Sequence, residues 1–292
     1  MIKYQFLAFL FILACTPAPK QATSEQLSGW ESWKVDRMEE LKSKEGFLNL
    51  AGLYWLQDGE HSFGSDSSNA VIFPVDFPAK SGVFKVEAGV VSISEVAEGI
   101  LIDSTSQEEG LVFDLSQEVS KEMTYGNYVW YIIERVGNVG IRLKDLDHPM
   151  LAADPDIHFY EYNPDLVVEA IFKPYLPKKK LTIDNVLGHR FEMEIEGQLQ
   201  FQFQGKNYSL EPLDDVDFFV IFSDETSAIE TYGSGRYLHV PLPGPDGKTT
   251  IDFNRAYNPP CAFTDFATCL IPPSENRLDF RVDGGELDFH ME

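Results

Sequence analysis

The chain has few basic residues, and this shortage narrows the range of its partners. Its 292 residues include 23 Lys and Arg against 47 Asp and Glu, which gives a formal net charge of −24. Such a negative field repels nucleic acid, so we expect no DNA or RNA partner. Aromatic residues are plentiful by contrast, with 22 Phe, 12 Tyr and 4 Trp. That content argues against disorder and can supply a sizeable core.

Motifs for metal, phosphate and serine chemistry are also missing. The six histidines are dispersed, with no His-Glu-x-x-His and no Cys-x-x-Cys, so we expect no metal and no cofactor. The glycines at 233 and 235 lack the later glycine and lysine of a phosphate loop. The Gly-x-Ser-x-Gly elbow of many hydrolases does not occur either. The sequence therefore assigns no reaction to this protein.

Hydrophobic runs are short, and the first of them resembles an export signal. Residues 1–14 carry Lys3 ahead of an apolar run over residues 6–13, too short for a membrane span of about 20 residues. Ile-Leu-Ala-Cys at residues 12–15 resembles a bacterial lipobox, which predicts a lipid on Cys15. The alternative is an ordinary signal peptide cut nearby.

A polar, proline-containing segment over residues 15–23 predicts a flexible tether after this signal. No acidic residue directly follows Cys15, so nothing indicates retention at the inner membrane. We therefore expect a membrane-anchored lipoprotein of the cell envelope, held in the outer membrane and facing the periplasm.

One helix is expected near the start of the mature chain. Apolar residues three to four apart predict an amphipathic helix over residues 24–44, capped by Ser24 or Ser28. Its apolar face would pack on the rest of the protein.

A mainly β fold is expected for the remainder. From residue 71 the hydrophobic period changes to two, which predicts short strands such as residues 90–94, 218–222 and 278–282. Residues 174–180 resemble a connector. Many short strands with few helices predict an antiparallel β-sandwich or barrel-like architecture, and we expect one domain over residues 24–292.

Residues 252–286 hold the most distinctive chemistry of the chain. Two cysteines, two Pro-Pro pairs, three arginines and three asparagines fall in this stretch, which we call the C-terminal block. Proline lacks an amide donor and pushes the residue before it toward extended geometry. The block is therefore predicted to be an ordered, extended loop between strands.

The C-terminal block resembles a known family. YNPPCAFT at residues 257–264 and TYGSGRYLHVPLP at residues 231–243 are similar to the signature of the bacterial family called domain of unknown function 1684. Further blocks at residues 46–66, 134–145 and 169–175 follow the family's order. The resemblance implies a grouping of uncharacterised proteins and no particular reaction.

Polar residues in and beside the block are the candidate binding site. Asp252 and Asn254 share one face of a strand by parity, and Arg236 can approach them from a neighbouring strand. Such groups can hold a small polar ligand or a partner segment, or they can satisfy one another and the loop backbone. The candidates are Arg236, Asp252, Asn254, Arg255, Tyr257, Asn258, Asn276 and Arg277.

The cysteines of the block leave three interpretations open. Cys261 and Cys269 are a disulfide candidate in an oxidising compartment. They can also be buried thiols, or Cys261 can be the nucleophile of a hydrolase-like enzyme, with His189 or His239 as its base and Asp252 or Asn254 orienting that base. The same enzyme class can instead use the cluster of Arg236, Asp252, Asn254 and Tyr257. An envelope scaffold without a ligand is a further alternative to binding.

Replacing Cys15 by serine tests the lipid anchor. Serine has no thiol to carry the lipid, so Cys15→Ser protein should move from the membrane fraction to the soluble fraction. Cell fractionation followed by immunoblotting measures this, with Cys261→Ser as the control that should stay with membranes. Membrane association of Cys15→Ser equal to that of the wild type would contradict the anchor.

Overall fold

The computed structural model describes residues 20–117, 119–153, 155–213 and 217–289. The predicted signal peptide, the Cys15 anchor and most of the tether lie outside these residues. The described chain is mostly β with one long helix near its start, which confirms the mainly β fold class. None of the helices in these ranges is long and apolar enough to cross a membrane.

Short strands follow one another along most of the chain. The helices are α1 (Ser24–Lys42) and α2 (Pro149–Ala152). The strands are β1 (Leu50–Leu56), β2 (Gly59–Gly64), β3 (Val71–Ile72), β4 (Gly82–Glu87), β5 (Val90–Ser94), β6 (Leu101–Ile102), β7 (Gly110–Asp114), β8 (Val119–Ser120), β9 (Met123–Tyr125), β10 (Tyr128–Arg135), β11 (Asn138–Asp145), β12 (Val167–Asn185), β13 (Arg190–Phe203), β14 (Lys206–Leu210), β15 (Phe218–Phe222), β16 (Arg236–Val240), β17 (Lys248–Asp252) and β18 (Leu270–Ile271).

The N-terminal helix begins at the predicted residue, Ser24, but its cap is the residue before it, Thr23. The Thr23 hydroxyl accepts from the Gln26 amide, and the Gln26 side chain accepts from the Thr23 amide, which forms a capping box. The prediction of Ser24 or Ser28 as cap was wrong, because both lie inside α1. The helix ends at Lys42, close to the predicted end.

Two sheets form the first half of the fold. Their strand orders are β1-β11-β10-β9-β6 and β3-β2-β4-β5-β7-β8, and all pairs are antiparallel except β2 with β3. Phe63 and Phe84 from one sheet share a core with Trp130 and Ile141 from the other. All four side chains are at most 1% exposed, so the two sheets exclude water between them.

The second half contains a sheet of order β14-β13-β12-β17, with β18 also on β12, and a separate hairpin of β15 and β16. Leu199, Val220 and Phe253 belong to its core. Leu50 of β1 joins a further cluster with Ile183 of β12, so side chains from both halves pack together. The cleft described below lies beside this cluster.

Three strand predictions show where alternation is a safe guide. Residues 90–94 and 218–222 are strands with the predicted bounds. Residues 278–282 are not a strand, although Leu278 and Val282 are buried as alternation requires. Their backbone amides bond the Ser223 carbonyl and the Asp224 carboxylate instead of a regular ladder. The alternation there reflects burial alone.

The connector expected at residues 174–180 lies inside β12. Its prolines, Pro174 and Pro177, fall where the register with β13 shifts between Pro174 and Lys179. Proline is tolerated in a sheet at such irregularities, because no ladder hydrogen bond is needed from its nitrogen.

Candidate functional site

Arg236 is a buried structural group. Its guanidinium lies 2.8 Å from Oδ2 of Asp224, and both side chains are at most 1% exposed. It also donates to the carbonyls of Val282, at 3.0 Å, and Gly284. Arg236 thus fastens the end of the chain to β16 and pairs with Asp224, not with Asp252 as the sequence suggested.

Asp252 and Asn254 organise the turn after β17. The Asp252 carboxylate accepts from the backbone amide of Asn254 at 3.1 Å and from its side chain at 2.9 Å, and its other oxygen lies 3.4 Å from Nε of Arg255. The Asn254 amide also bonds the backbone N–H and carbonyl of Asn163 at 2.7 and 2.9 Å. Asn254 is 1% exposed, so its polar atoms serve the backbone of a neighbouring loop.

Tyr257 belongs to a surface network with His239 and Asp217. Burial raises the pKa of Tyr257, so its hydroxyl stays protonated and can donate to Nε2 of His239, 2.8 Å away. Nδ1 of His239 lies 2.9 Å from the Asp217 carboxylate, and these two side chains are about half exposed.

Asn258 takes part in the attachment of α1 to the C-terminal block. Arg37 on α1 donates to the Asn258 carbonyl at 3.0 Å and to the Glu286 carboxylate at 3.0 Å. The other oxygen of Glu286 accepts from the Asn258 amide at 2.7 Å. Burial raises the pKa of Glu286, and the Arg37 charge opposes that shift. Neither Arg37 nor Glu286 was predicted as a candidate, although Glu286 is the last residue of the C-terminal block.

Asn276 and Arg277 occupy different environments. The Asn276 amide is fully buried and bonds the Glu211 backbone at 2.7 and 2.9 Å and the Ile221 carbonyl at 2.9 Å. Arg277 is exposed, and its backbone forms a bridge with Ser223. The eight candidate residues are thus spread over several separate contacts, and the buried ones bond the protein's own backbone.

Cys261 and Cys269 are joined as a disulfide in the structure, with Cα atoms 6.1 Å apart. Cys261 is therefore not a free thiol here, and neither His189 nor His239 is its hydrogen-bond partner. Between the cysteines, Phe263 and Ala267 are buried. Residues 261–269 are thus held in place both by the disulfide bond and by the packing of these two side chains.

A cleft of about 600 Å³ lies between the β10–β11 hairpin and the loop formed by residues 260–270. Much of its wall is apolar, and the loop belongs to the C-terminal block. Cavities of this size commonly hold small organic molecules. Its aromatic lining side chains are Phe47, Phe191, Phe219 and Tyr237.

Arg142 is the distinctive polar group of this cleft. It is 8% exposed, its Nε has no hydrogen-bond partner, and Nη2 reaches the Thr268 hydroxyl only at 3.5 Å. Burial lowers the pKa of Arg142, and the nearby charge of Arg135 acts in the same direction, while the Tyr131 phenol opposes both. No carboxylate in the described part of the chain pairs with Arg142.

A second arginine approaches the same hydroxyl from the rim of the cleft. Nε of Arg135 donates to Oγ1 of Thr268 at 3.2 Å. Arg135 and Arg142 therefore converge on one neutral oxygen. Arg142 lies in the block at residues 134–145 that supported the family resemblance, but its role was missed. The only available signal was a charged residue between Ile141 and Leu143 in a predicted strand.

A larger open groove of about 760 Å³ runs over the outer face of the β12–β13–β14 sheet. Its lining carboxylate, Glu169, pairs with Lys248 at 3.0 Å, and Gln202 bonds Asn207 at 2.9 Å. Buried polar atoms without partners do not occur among its described lining residues. The smaller cleft is therefore the better candidate site. In the described ranges, no group of three or more His, Cys, Asp or Glu residues could hold a metal ion.

The fold and cleft define a mostly β protein with a cavity of ligand size. Residues 155–287 match the family described as protein of unknown function (DUF1684), which supports the family resemblance for this part of the chain. The match does not include the blocks at residues 46–66 and 134–145.

One solved structure and the curated proteins complete the comparison. A solution NMR structure of an uncharacterized protein from Haloarcula marismortui is similar at 28% identity, covering 48% of this chain and 80% of that chain, with a TM-score of 0.39. No curated protein matches the chain.

Replacing both Cys261 and Cys269 by serine tests the disulfide. The cysteines are eight positions apart, and losing a crosslink over so short a loop should lower the free energy of unfolding by about 2.5 kcal/mol. Denaturant unfolding without reductant measures the difference. As a control, reductant should lower the stability of the wild type and leave the double variant unchanged. Equal unfolding midpoints of oxidised wild type and variant would contradict the bond.

Proposed function

We propose that this protein binds a small organic carboxylate in the cleft between the β10–β11 hairpin and residues 260–270. The observation that carries the proposal is Arg142, a buried arginine whose Nε has no partner and which no described carboxylate pairs. This binding role keeps the C-terminal block as one wall of the site. The ligand-facing charge comes from β11 and not from the residues predicted earlier.

A buried arginine without a counter-charge lowers the stability of the folded protein. Removing an arginine from water is unfavourable unless a partner compensates for the lost hydration. Arg236 meets that condition through Asp224, whereas the described neighbours of Arg142 supply only hydroxyls and a second cation. Groups that cost stability in this way concentrate at functional sites. A bound anion would supply the missing compensation.

The shape of the guanidinium favours a carboxylate as that anion. Its planar set of N–H donors matches the two oxygens of a carboxylate, and such paired charge-assisted bonds are among the strongest in proteins. The apolar wall of the cleft can bury an organic body beside it. A molecule with one charged end and one apolar end therefore fits both parts of the cleft.

The location in the cell envelope is part of the proposal. The lipobox at residues 12–15 supports an anchor at Cys15, and a disulfide between Cys261 and Cys269 supports an oxidising compartment. In that setting the protein would capture carboxylates on the outer side of the inner membrane.

An Arg142→Met variant separates a ligand-binding arginine from a structural one. Methionine fills similar space without charge, so binding should be lost while the free energy of unfolding stays unchanged or rises. Arg236→Met is the matched control, because it leaves Asp224 buried without its partner and should cost about 3–5 kcal/mol. Calorimetric titration with 3-phenylpropionate and hexanoate, each against its neutral amide, measures binding, and denaturant unfolding measures stability.

Three results would contradict this role. The first is a wild type that binds neither carboxylate. The second is an Arg142→Met variant that binds them as tightly as the wild type. The third is a loss of stability in Arg142→Met as large as in Arg236→Met, which would make Arg142 a structural residue.

A further inference from the structure

We infer that the ligand of this cleft is an aromatic monocarboxylate. The inference rests on the proposed carboxylate binding and adds two statements, namely that the body of the ligand is a ring and that it carries a single negative charge. The first follows from the wall of the cleft and the second from the charges around its mouth.

The apolar wall of the cleft is built largely from aromatic side chains. Phe219 and Tyr237 pack edge to face, with ring centroids 5.0 Å apart and planes at 85°. The Tyr237 hydroxyl donates to the Leu270 carbonyl at 3.1 Å, so its polar end is satisfied and its ring remains as wall. Phe47 and Phe191, both half-buried, complete the set.

Such a wall distinguishes a ring from an aliphatic chain of similar size. Aromatic pairs gain attraction from the geometry of their quadrupoles in addition to the burial of area. A saturated ring gains only the burial, because it has no aromatic face to offer. An aromatic ligand should therefore bind more tightly than its saturated analogue, although the saturated analogue is the more apolar molecule.

The charges of the cleft favour a single carboxylate. The charged side chains that line the cleft are Glu134, Arg135 and Arg142, so the lining carries a net charge of about one positive unit. One carboxylate on the ligand would balance that charge. A second carboxylate on the ligand would be desolvated in a cleft whose net positive charge is already balanced, with Glu134 adding a further negative charge to the lining.

The Thr268 hydroxyl marks where the carboxylate lies. Its oxygen accepts a hydrogen bond from Nε of Arg135 at 3.2 Å and a longer one from Nη2 of Arg142 at 3.5 Å. A carboxylate beside this hydroxyl offers two charged oxygens in place of one neutral oxygen. Both arginines would thereby gain charge-assisted hydrogen bonds, and Nε of Arg142 would gain its first partner.

Four matched probes test the inference by calorimetric titration of the full chain. They are 3-phenylpropionate, 3-cyclohexylpropionate, 3-phenylpropionamide and phenylsuccinate, which adds one carboxylate to the first. We expect 3-phenylpropionate to bind about five-fold more tightly than its cyclohexyl analogue. Phenylsuccinate should bind at least about ten-fold more weakly, and the amide should not bind detectably.

Phe191→Leu tests whether the wall causes the preference. The variant keeps an apolar side chain but removes one of the four rings of the wall, so its phenyl-over-cyclohexyl ratio should fall below that of the wild type while carboxylate binding persists. Phe172→Leu is the matched control, because Phe172 is also half-buried but packs in the second core, away from the cleft. Its ratio should equal that of the wild type.

The outcomes separate this inference from the proposed function. Equal binding of the phenyl and cyclohexyl acids, or an unchanged ratio in Phe191→Leu, would overturn the aromatic body and leave carboxylate binding standing. Tighter binding of phenylsuccinate would overturn the single charge. Failure of all three acids to bind, or their binding to Arg142→Met as to the wild type, would overturn the proposed function together with the inference.

Discussion

The end of the chain must satisfy its backbone without a sheet. After β17 the described chain has one strand of two residues, so most of its amides and carbonyls lack a ladder partner. Buried backbone groups without partners are costly, and side-chain amides take the place of the ladder. Asn258 does this for the Leu287 carbonyl and Arg236 for the Val282 carbonyl, while Asn254 and Asn276 attach the block to the backbones of Asn163 and Ile221. Residues 260–270 of the block so attached form one wall of the cleft.

Arg142 differs from Arg236 in the charge of its partners. The Nε atoms of both arginines lack a hydrogen-bond partner in the described chain, but Arg236 has a buried carboxylate, whereas Arg142 meets hydroxyls and another cation. The other buried arginines, Arg37 and Arg236, pair with carboxylates. Arg142 instead lines a cavity of about 600 Å³. A buried arginine without a carboxylate partner lowers the stability of the fold, and this loss is the reason to connect Arg142 with ligand binding.

Alternation in the sequence was enough to predict the mainly β class, and it was not enough to find the site. On β11 nearly every position is buried, so both faces of the strand are covered. Because side chains alternate along a strand, Arg142 and Ile141 lie on opposite faces of β11. The charge of Arg142 would ordinarily indicate that its face is exposed to water. The cover over Arg142 comes from Thr268, 126 positions later, and only the folded chain shows it. Arg236 and Asn254 were picked out because they are polar, yet polarity alone does not distinguish a backbone partner from a ligand contact.

A crystal structure with 4-bromobenzoate is the most direct measurement of the central claim, that Arg142 is kept without a carboxylate partner in order to receive one. The account predicts anomalous bromine density among the aromatic side chains of the cleft. It also predicts carboxylate oxygens at about 3 Å from the Arg142 guanidinium. Bromine density only at other places, or an Arg142 paired with a carboxylate of the protein itself, would contradict it.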